Sequence, residues 1–415
     1  MYQPRLVDAE LTRRLRTTGA VVIEGARACG KTATAEQAAA SAVYLDVDQS
    51  AQQAMVIDPS LVLEGPTPRL LDEWQTQPVL WNHVRRAVDK RGAPGQFILT
   101  GSAVPADDIA LHTGAMRITR LRMRPMSLHE SGHSTAAVSF GALLEGEQVR
   151  APDPGLSLVT LATRVAVGGW PGLRDRDPDD ALLAVRGYLD EIARSDLTRV
   201  DGVARDPAKV HLLLRSLARN AATMAAATVL AADTSGGDRP LHDDTVRDHL
   251  VALERLMVVE DQPAWAPHLR SKSVLRSAPK RHFVDPSLAV AALGSSPAGL
   301  LADLRLFGFL FESLVVRDLR IYAQAQDATV SHYRDNTGLE VDAVVQRRDG
   351  RWAALEVKLG VGAIEEAAAT LKRFRDRVDA AATGSCAALV VVTGGGLGYL
   401  RPDGVAVVPI ASLGP

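Results

Sequence analysis

Short apolar runs that end at a glycine or an acidic residue recur along the first part of the chain. Four of them are present, at residues 20–23, 43–45, 70–71 and 96–100. Continuous apolar runs of this length are typical of strands that are buried on both faces of a parallel sheet. Helix-forming sequence, such as Ala33–Ala40, alternates with these runs. The pattern predicts an α/β domain with a mainly parallel sheet over residues 1–160.

Residues 161–298 have a different pattern, in which helical spacing dominates. Leu250, Leu253 and Leu256 recur at every third position, which is typical of the buried face of a helix. Two short apolar segments, at residues 258–260 and 281–284, have the length expected for the strands of a hairpin. Helices followed by a small hairpin predict a helical and winged-helix module over residues 161–298.

From residue 299 the α/β pattern returns with a new order of elements. A long amphipathic helix is predicted first, then three strands, a second helix and a very apolar strand, at residues 304–322, 328–333, 340–345, 352–357, 363–378 and 387–392. This order predicts a second, separate α/β domain over residues 299–415.

Composition narrows the class of protein. Charged residues make up 23% of the chain and the formal net charge is −2, so a uniformly basic nucleic-acid coat is excluded while local basic patches are not. The two cysteines, Cys29 and Cys386, are far apart and are expected to be reduced. The first residues lack the apolar core of a signal peptide, and no apolar stretch reaches the roughly 20 residues of a membrane span. These features predict a cytoplasmic protein without a membrane segment.

One segment matches a complete phosphate-binding motif. G-x-x-x-x-G-K-T lies between a predicted strand and a predicted helix, the context that the P-loop requires, and comprises Gly25, Ala26, Arg27, Ala28, Cys29, Gly30, Lys31 and Thr32. Glycines let backbone N–H groups curl around phosphate oxygens, the lysine neutralises the β- and γ-phosphates, and the threonine hydroxyl ligates Mg²⁺. The motif predicts binding of a nucleoside triphosphate, ATP, together with Mg²⁺.

Polar residues after two further strands are candidates for the rest of this site. Asp72 is predicted to hold Mg²⁺ and Glu73 to polarise the water that attacks the γ-phosphate. The alternative for this pair is an acidic helix cap or a solvated strand end. Thr100 can bond the water or the γ-phosphate, and an ordinary turn at Thr100-Gly101-Ser102 is the alternative.

Four arginines follow without an intervening acid: Arg117, Arg120, Arg122 and Arg124. One of them can act as an arginine finger on the nucleotide of a neighbouring subunit, which requires a homo-oligomer. A solvated basic strand is the other interpretation, and the residues alone do not decide between the two.

The chain resembles the AAA-type ATPases that carry a C-terminal DUF4143 domain. The resemblance extends over nearly the whole chain and rests on the P-loop, Leu71-Asp72-Glu73, residues 98–102, Gly114–Arg117, Arg124–Ser127, Gly169-Trp170-Pro171, Phe283–Pro286, Phe311-Glu312, Glu340-Val341-Asp342 and Glu356-Val357-Lys358. It implies an ATPase domain at the N-terminus, and it makes Arg117 the best candidate for the finger.

Charged residues alternate with apolar ones on two predicted strands near the C-terminus. Period two places Asp342 with Glu340, and Glu356 with Lys358, on one face of each strand, and Glu312 on the preceding helix can complete the group. This set resembles the PD-(D/E)XK nucleases, in which Asp342 and Glu356 would bind Mg²⁺ and Lys358 would orient the attacking water. A structural ion-pair network, or a binding module without activity, is the alternative.

A basic stretch at residues 268–282 precedes this domain and can follow a DNA backbone, while a solvated loop that binds nothing is equally consistent with it. Two functional hypotheses result. The first is an ATPase coupled to a nuclease-like domain that acts on DNA. The second is a regulatory ATPase switch whose C-terminal domain binds a partner without cutting it.

Overall fold

The computed structural model describes residues 2–101, 114–234, 241–266 and 278–415. They form two compact units, each built from segments that are not contiguous in sequence. Unit 1 comprises Met1–Pro125, Ser195–Ala204 and Val251–Val258, and unit 2 comprises Met126–Arg194, Arg205–Leu250 and Val259–Pro415. The predicted domain boundaries after residues 160 and 298 do not coincide with the boundaries of these units.

The α-helices, in chain order, are α1 (Leu6–Leu15), α2 (Lys31–Ala38), α3 (Gln49–Ile57), α4 (Leu80–Arg91), α5 (Phe140–Leu144), α6 (Leu158–Val167), α7 (Pro178–Glu191), α8 (Leu197–Asp201), α9 (Pro207–Arg219), α10 (Ala227–Asp233), α11 (Asp243–Arg255), α12 (Pro286–Ala292), α13 (Pro297–Ala302), α14 (Leu304–Ala325), α15 (Ile364–Arg377) and α16 (Ala380–Thr383). Within the described ranges, no helix has both the length and the apolar character needed to cross a membrane.

The strands are β1 (Ala20–Glu24), β2 (Ser41–Tyr44), β3 (Arg69–Asp72), β4 (Phe97–Gly101), β5 (Ile118–Arg122), β6 (Val138–Ser139), β7 (Arg150–Ala151), β8 (Ala328–Arg334), β9 (Glu340–Arg347), β10 (Trp352–Lys358), β11 (Cys386–Thr393), β12 (Gly398–Leu400), β13 (Val405–Pro409) and β14 (Leu413–Gly414).

Unit 1 is built on a parallel sheet with the strand order β2-β3-β4-β1-β5. The four predicted apolar strands are confirmed as β1 to β4, and the basic segment forms β5. Alternate side chains of β1 belong to two cores, since Val22 packs with Trp81 and Val21 packs with Leu11. Because the strands are parallel, their carboxyl ends meet at one edge, where the segments after β1, β3 and β4 are neighbours.

Unit 2 contains a mixed sheet of seven strands in the order β7-β12-β13-β11-β10-β9-β8. The predicted order of helix, three strands, helix and strand is confirmed as α14, β8, β9, β10, α15 and β11. Strands β8, β9 and β10 are antiparallel neighbours, whereas β10, β11 and β13 run parallel. Strand β7, which lies in the part of the chain expected to join the first domain, pairs with β12 and extends this sheet.

Extended backbone between α11 and α12 also belongs to this sheet. The Trp265 N–H donates to the His332 carbonyl at 2.6 Å, and the His332 N–H donates to the Pro263 carbonyl at 2.9 Å, so this segment lies along β8. The Trp265 ring packs 5.6 Å from the rings of both Trp352 and Phe374. Trp265, expected in a separate middle module, is therefore part of the core of the C-terminal sheet.

The two predicted hairpin segments pair through one bridge, between Val259 and Phe283, and a second bridge joins Gln262 to Lys280 just outside them. Residues 267–277, which contain most of the basic stretch, lie outside the described residues. The winged-helix module stays a prediction.

Helix α12 packs against α6, α7, α9 and α14 in the helical part of unit 2. Asp285 caps it by accepting a hydrogen bond from the Ser287 N–H at 3.0 Å. The same carboxylate accepts from the Gly169 N–H at 3.0 Å and pairs with Arg317 at 2.8 Å, all within the buried interior. Two of the segments that carry the family resemblance, those with Gly169 and Asp285, thus serve the packing of the helices.

Candidate functional site

The P-loop connects β1 to α2, and its path depends on two glycines. A Cβ at Gly25 would lie 2.3 Å from the Met123 carbonyl oxygen and 2.8 Å from the Cys29 Sγ, so no larger residue fits. Gly30 precedes α2 with a φ of 103°, in the left-handed region that glycine adopts without strain. A loop of this form that ends at a helix amino terminus is the arrangement that binds phosphate.

The ammonium group of Lys31 is bound to the loop itself. Its Nζ donates to the carbonyl oxygens of Gly25 and Ala26, both at 2.9 Å, and the residue is only 6% exposed. Phosphate oxygens are stronger acceptors for an ammonium group than neutral carbonyls are. A bound triphosphate can therefore compete with these carbonyls for the Lys31 ammonium group.

Asp72 lies beside the P-loop because β3 and β1 flank β4 on its two sides and all three parallel strands end at the same edge of the sheet. Its Oδ1 accepts a hydrogen bond from the Thr32 hydroxyl at 2.9 Å and another from the Thr100 hydroxyl. Thr100 is completely buried in β4, so the structure places its hydroxyl on Asp72, whereas the sequence suggested a bond to water or to the γ-phosphate. Ser102 lies outside the described residues. The two hydroxyls and the carboxylate are the ligand types that Mg²⁺ takes at a P-loop.

Glu73 follows Asp72 directly but differs from it in backbone conformation and in hydrogen-bond partner. Its φ of 52° is left-handed, which is unusual for a residue with a side chain and is found preferentially at functional sites. The half-buried carboxylate accepts a hydrogen bond from the Gln75 amide, which fits this position because residue 101 is a glycine. The structure thus separates Asp72, held by hydroxyls, from Glu73, held by an amide, and the roles predicted for them stay predictions.

Two residues without any motif support the P-loop, and the sequence alone did not indicate either of them. Asp196 is 2% exposed and forms an ion pair with Arg27 at 2.6 Å. Arg5 donates to the Cys29 carbonyl at 2.9 Å and to the Arg124 carbonyl at 2.8 Å. The motif position Arg27 is therefore held by a buried acid, and both cysteines of the chain are free thiols.

Arg117 lies at the edge of the sheet opposite its own P-loop. Strand β5 runs parallel to β1 with Ile118 beside Ala20, so Arg117 is at the amino end of the strand while the P-loop follows the carboxyl end. Arg117 and Asp89 form an ion pair at 2.7 Å, and each is 43% exposed. The structure does not bring Arg117 to the nucleotide site of its own chain, so a finger role requires a second chain.

In unit 2, two strands and a helix bring four carboxyl groups towards one another. This carboxylate cluster consists of Glu312 on α14, Glu340 and Asp342 on β9, and Glu356 on β10. Lys358 Nζ lies 2.7 Å from Glu356 Oε2 and 3.7 Å from Asp342 Oδ2. The side chains predicted to share a site are thus assembled, because neighbouring strands place their period-two positions on one face.

A second lysine, Lys280, occupies the middle of this group. Its Nζ lies 2.8 Å from Glu312 Oε1, 3.0 Å from Glu340 Oε1 and 3.3 Å from Asp342 Oδ1, and its side chain is 2% exposed. The sequence placed Lys280 in a basic stretch that would follow DNA. The structure corrects this, because Lys280 is buried among carboxyl groups, and the next residue, Arg281, pairs with Asp261. The other basic residues of 268–282 lie outside the described residues.

The pKa values of the carboxyl groups in the cluster are shifted in opposite directions. Burial, reinforced by the charge of Asp342, raises the pKa of Glu312 and of Glu356 to about 8. Burial also opposes ionisation of Asp342, but Lys280, Lys358 and the Val357 N–H outweigh it and lower the pKa of that carboxyl. Asp342 is therefore the ionised centre of the cluster near neutral pH.

The carboxyl oxygens of the cluster are arranged around the ammonium groups of Lys280 and Lys358, at distances suited to ion pairs. Two oxygens on one Mg²⁺ lie at most roughly 4.2 Å apart, since each bond is about 2.1 Å long. In the described ranges, three acidic or histidine ligand atoms lie within 4.8 Å of one another only at His242, Asp243 and Asp244, which are exposed or half-buried at the start of α11. The cluster has the ligand types for a divalent cation, but it must contract to hold one.

Two cavities meet at the carboxylate cluster. One of about 600 Å³ is lined by Glu356, Lys358 and Arg373, among others, and the second, of about 530 Å³, by Lys280, Glu312 and Arg305. Both reach Asp342. In the part of the chain that the structure describes, neither Arg305 nor Arg373 has an acidic partner, so basic groups are available on both sides of the cluster.

Comparisons with known proteins divide the chain into three regions. A family model described as an AAA domain matches residues 17–132, the domain of unknown function DUF8612 matches residues 159–299, and DUF4143 matches residues 307–413. The chain therefore combines an AAA domain with a C-terminal DUF4143 domain. The AAA match contains the P-loop with Asp72 and Glu73, and the DUF4143 match contains the whole carboxylate cluster.

Two curated relatives resemble most of the chain. The uncharacterized protein Rv2008c of Mycobacterium tuberculosis (strain ATCC 25618 / H37Rv) is 24% identical over 362 residues, which cover 86% of this chain and 74% of the relative. The uncharacterized protein Mb2031c of Mycobacterium bovis (strain ATCC BAA-935 / AF2122/97) matches with the same figures. A solved structure, the Walker-type ATPase PABY2304 of Pyrococcus abyssi, has a TM-score of 0.40 and 12% identity over 69% of this chain and 94% of that chain, a likeness too weak to support a conclusion.

The boundaries of the matched regions explain why the sequence alone did not assign Lys280 to the carboxylate cluster. Lys280 lies in the DUF8612 region, whereas the three acids that it contacts lie in the DUF4143 domain. Lys280 is separated from Asp342 by 62 positions and has no spacing relation to the two strand motifs. Because Lys280 lies in a basic stretch of the sequence, nothing in that sequence indicated that its side chain is buried.

Proposed function

We propose that the AAA domain hydrolyses ATP with Mg²⁺ and that the DUF4143 domain contains a divalent-metal site that acts on phosphodiesters, under control of the ATPase. The position of Asp72 carries the first part. A carboxylate that is bonded to the P-loop hydroxyl of Thr32 at 2.9 Å is where P-loop enzymes hold the metal of their nucleotide. The resemblance to AAA-type ATPases agrees with this assignment.

In the proposed reaction, Lys31 exchanges its two carbonyl acceptors for the β- and γ-phosphate oxygens. Thr32 and Asp72 would hold Mg²⁺, which supplies positive charge next to the phosphates when it is bound. Glu73 accepts the proton of the water that attacks the γ-phosphorus, and ADP and inorganic phosphate are the products. Thr100 acts through Asp72 as a positioning residue, since its hydroxyl is bonded to that carboxylate.

Substitution at Glu73 and Lys31 tests this proposal. We expect Glu73→Gln to bind ATP but to release phosphate far more slowly, because an amide does not accept the proton. Lys31→Ala should lose ATP affinity itself. Glu64→Gln is the matched control, since Glu64 is 73% exposed and pairs only loosely with Arg91 at 3.4 Å. Wild-type phosphate release by Glu73→Gln would remove Glu73 from the mechanism.

For the DUF4143 domain, the proposal rests on Asp342, Glu356 and Lys358 at one place. Carboxylates that hold a divalent cation beside a lysine that orients water are the groups needed to hydrolyse a phosphodiester. The cluster lies between two cavities lined by Arg305 and Arg373, and guanidinium groups without an acidic partner bind phosphate. Nucleic acid is the substrate class that these groups favour, and DNA is the one that we propose.

Metal titration and cleavage of DNA test this second part. In an Asp72→Asn background, which removes the carboxylate at the P-loop, Mn²⁺ should bind the full chain and Asp342→Asn should abolish the binding. Lys358→Ala should retain metal and lose cleavage of linear DNA. Asp349→Asn is the control, because Asp349 is 39% exposed and pairs with Arg351 on the surface of the same domain.

One observation favours a second function. Lys280 already supplies a positive charge to three of the four acids, as a structural ion-pair network would. The domain would then bind a partner without cutting it, and the protein would be a regulatory ATPase switch. Absence of both Mn²⁺ binding and DNA cleavage, together with normal ATP hydrolysis, would favour this function over the nuclease.

A further inference from the structure

Lys280 is delivered to the carboxylate cluster by a short extended segment that is fixed at its backbone. The Lys280 N–H donates to the Gln262 carbonyl at 3.0 Å, and the Gln262 N–H donates back to the Lys280 carbonyl at 2.9 Å. Gln262 is itself held by a bond from its side-chain amide to the Asp342 carbonyl at 3.0 Å. The next residue, Arg281, donates its N–H to Thr223 at 2.8 Å. The backbone at residue 280 is therefore anchored on two sides.

The side chain ends at the place that a metal would need. Glu312, Glu340 and Asp342 each direct one oxygen at Nζ, at 2.8 to 3.3 Å. A divalent cation shared by the same oxygens would have to sit where Nζ is, but with bonds of about 2.1 Å. The ammonium and the metal are mutually exclusive there, because both need the same oxygens and carry the same sign of charge.

Lys280 has room to leave without a change in the backbone. It lines the cavity of about 530 Å³ together with Gly308, Gly360 and Gly362, three residues without side chains. A lysine has a flexible stem of four carbons, so its ammonium can turn into this space while the Gln262 pairing stays intact. Withdrawal would let the acids approach one another to the spacing of metal ligands.

We propose that Lys280 is a tethered cation that competes with divalent metal for Glu312, Glu340 and Asp342, so that the DUF4143 site takes up metal only when Lys280 withdraws. The inference rests on the proposed metal site, with which the oxygens around Lys280 share Asp342, and it adds the regulation of that site. The DUF8612 region would thereby hold the neighbouring site in an inactive form until the lysine is displaced.

Mn²⁺ affinity of the full chain tests the competition. In the Asp72→Asn background, Lys280→Met keeps the length of the side chain and removes the charge, so we expect Mn²⁺ to bind at least tenfold more tightly. Lys280→Arg keeps the charge and should bind Mn²⁺ no better than wild type. Equal or weaker binding by a folded Lys280→Met protein would overturn the competition.

A second measurement covers the case in which Lys280→Met does not fold. Acetylation of the otherwise unchanged chain, followed by mass spectrometry, should leave Lys280 unmodified without metal, since it is 2% exposed, and modify it when Mn²⁺ is added. Lys90, which is exposed, should react equally in both samples. Mn²⁺ binding with Lys280 still protected would reject the competition and leave the metal site standing. Absence of Mn²⁺ binding in every variant, Lys280→Met included, would reject the metal site itself.

Discussion

Replacement of Gly25 by alanine is expected to damage nucleotide binding through a single added methyl group. The new Cβ would lie 2.3 Å from the Met123 carbonyl oxygen. A carbon and a carbonyl oxygen ordinarily approach to roughly 3.3 Å, so the loop must move by about 1 Å. Overpacking of this kind costs about 1–3 kcal/mol of stability. Because the same loop binds the phosphates, we expect ATP affinity to fall at least tenfold, which corresponds to about 1.4 kcal/mol.

The comparison variant is Gly92→Ala, in the same unit at the end of α4. Gly92 has a φ of 63°, and a Cβ there would meet nothing within 4 Å, so the substitution costs about 1–2 kcal/mol of backbone strain and leaves the P-loop alone. ATP titration by calorimetry and thermal unfolding are measured on both proteins. We expect similar losses of stability, with a loss of affinity only in Gly25→Ala.

A double variant separates the two clashing atoms. Gly25→Ala combined with Cys29→Ala removes the Sγ at 2.8 Å but keeps the backbone oxygen of Met123 at 2.3 Å. Affinity should stay low, since the backbone oxygen is the closer atom and has no rotamer by which to move away. Wild-type affinity in the single Gly25→Ala variant would refute the argument, and full recovery in the double variant would assign the effect to the thiol.

Three further predictions concern hydrogen bonding, pH and assembly. Thr100→Val should slow ATP hydrolysis about tenfold, because it removes a hydrogen bond to the charged Asp72, and such a bond contributes about 1.5–3 kcal/mol. Thr100→Ser keeps the hydroxyl and should hydrolyse ATP at nearly the wild-type rate. Equal rates for the two variants would contradict this role of the hydroxyl. Since the pKa of Glu312 is raised to about 8, the folded chain keeps a proton that the unfolded chain releases near pH 4.5, and its stability falls as pH rises between these values. Glu312→Gln cannot ionise, so its melting temperature relative to wild type should rise from pH 5 to pH 8, and a constant difference would count against the raised pKa. Arg117→Ala should keep ATP affinity, lose hydrolysis and recover part of it when mixed with Lys31→Ala, because a mixed assembly unites an intact finger with an intact P-loop; no recovery in a demonstrated mixed oligomer would exclude the finger.

The sequence by itself determined the elements and the local chemistry. Continuous apolar runs predicted β1 to β4, and the order of helix and strands from residue 304 to residue 392 was recovered almost to the residue. These features depend on neighbours in the chain, since periodicity and turn-forming residues act over a few positions. The P-loop belongs to the same class, because its motif, strand and helix are contiguous. Asp342, Glu356 and Lys358 were found because period two places each pair on one face of its strand.

The tertiary structure alone decided which distant residues lie at the two candidate sites. Thr100 bonds to Asp72 because β4 is paired with β3, and Asp196 reaches Arg27 from a helical segment about 170 positions further along the chain. Lys280 lies among carboxyl groups because the segment that carries it pairs with Gln262, not because of any property of its sequence neighbours. A buried charge is tolerated only where opposite charges surround it, and that condition is a property of three-dimensional packing. Charge patterns along the chain therefore indicated a basic surface where the folded protein has an internal cation.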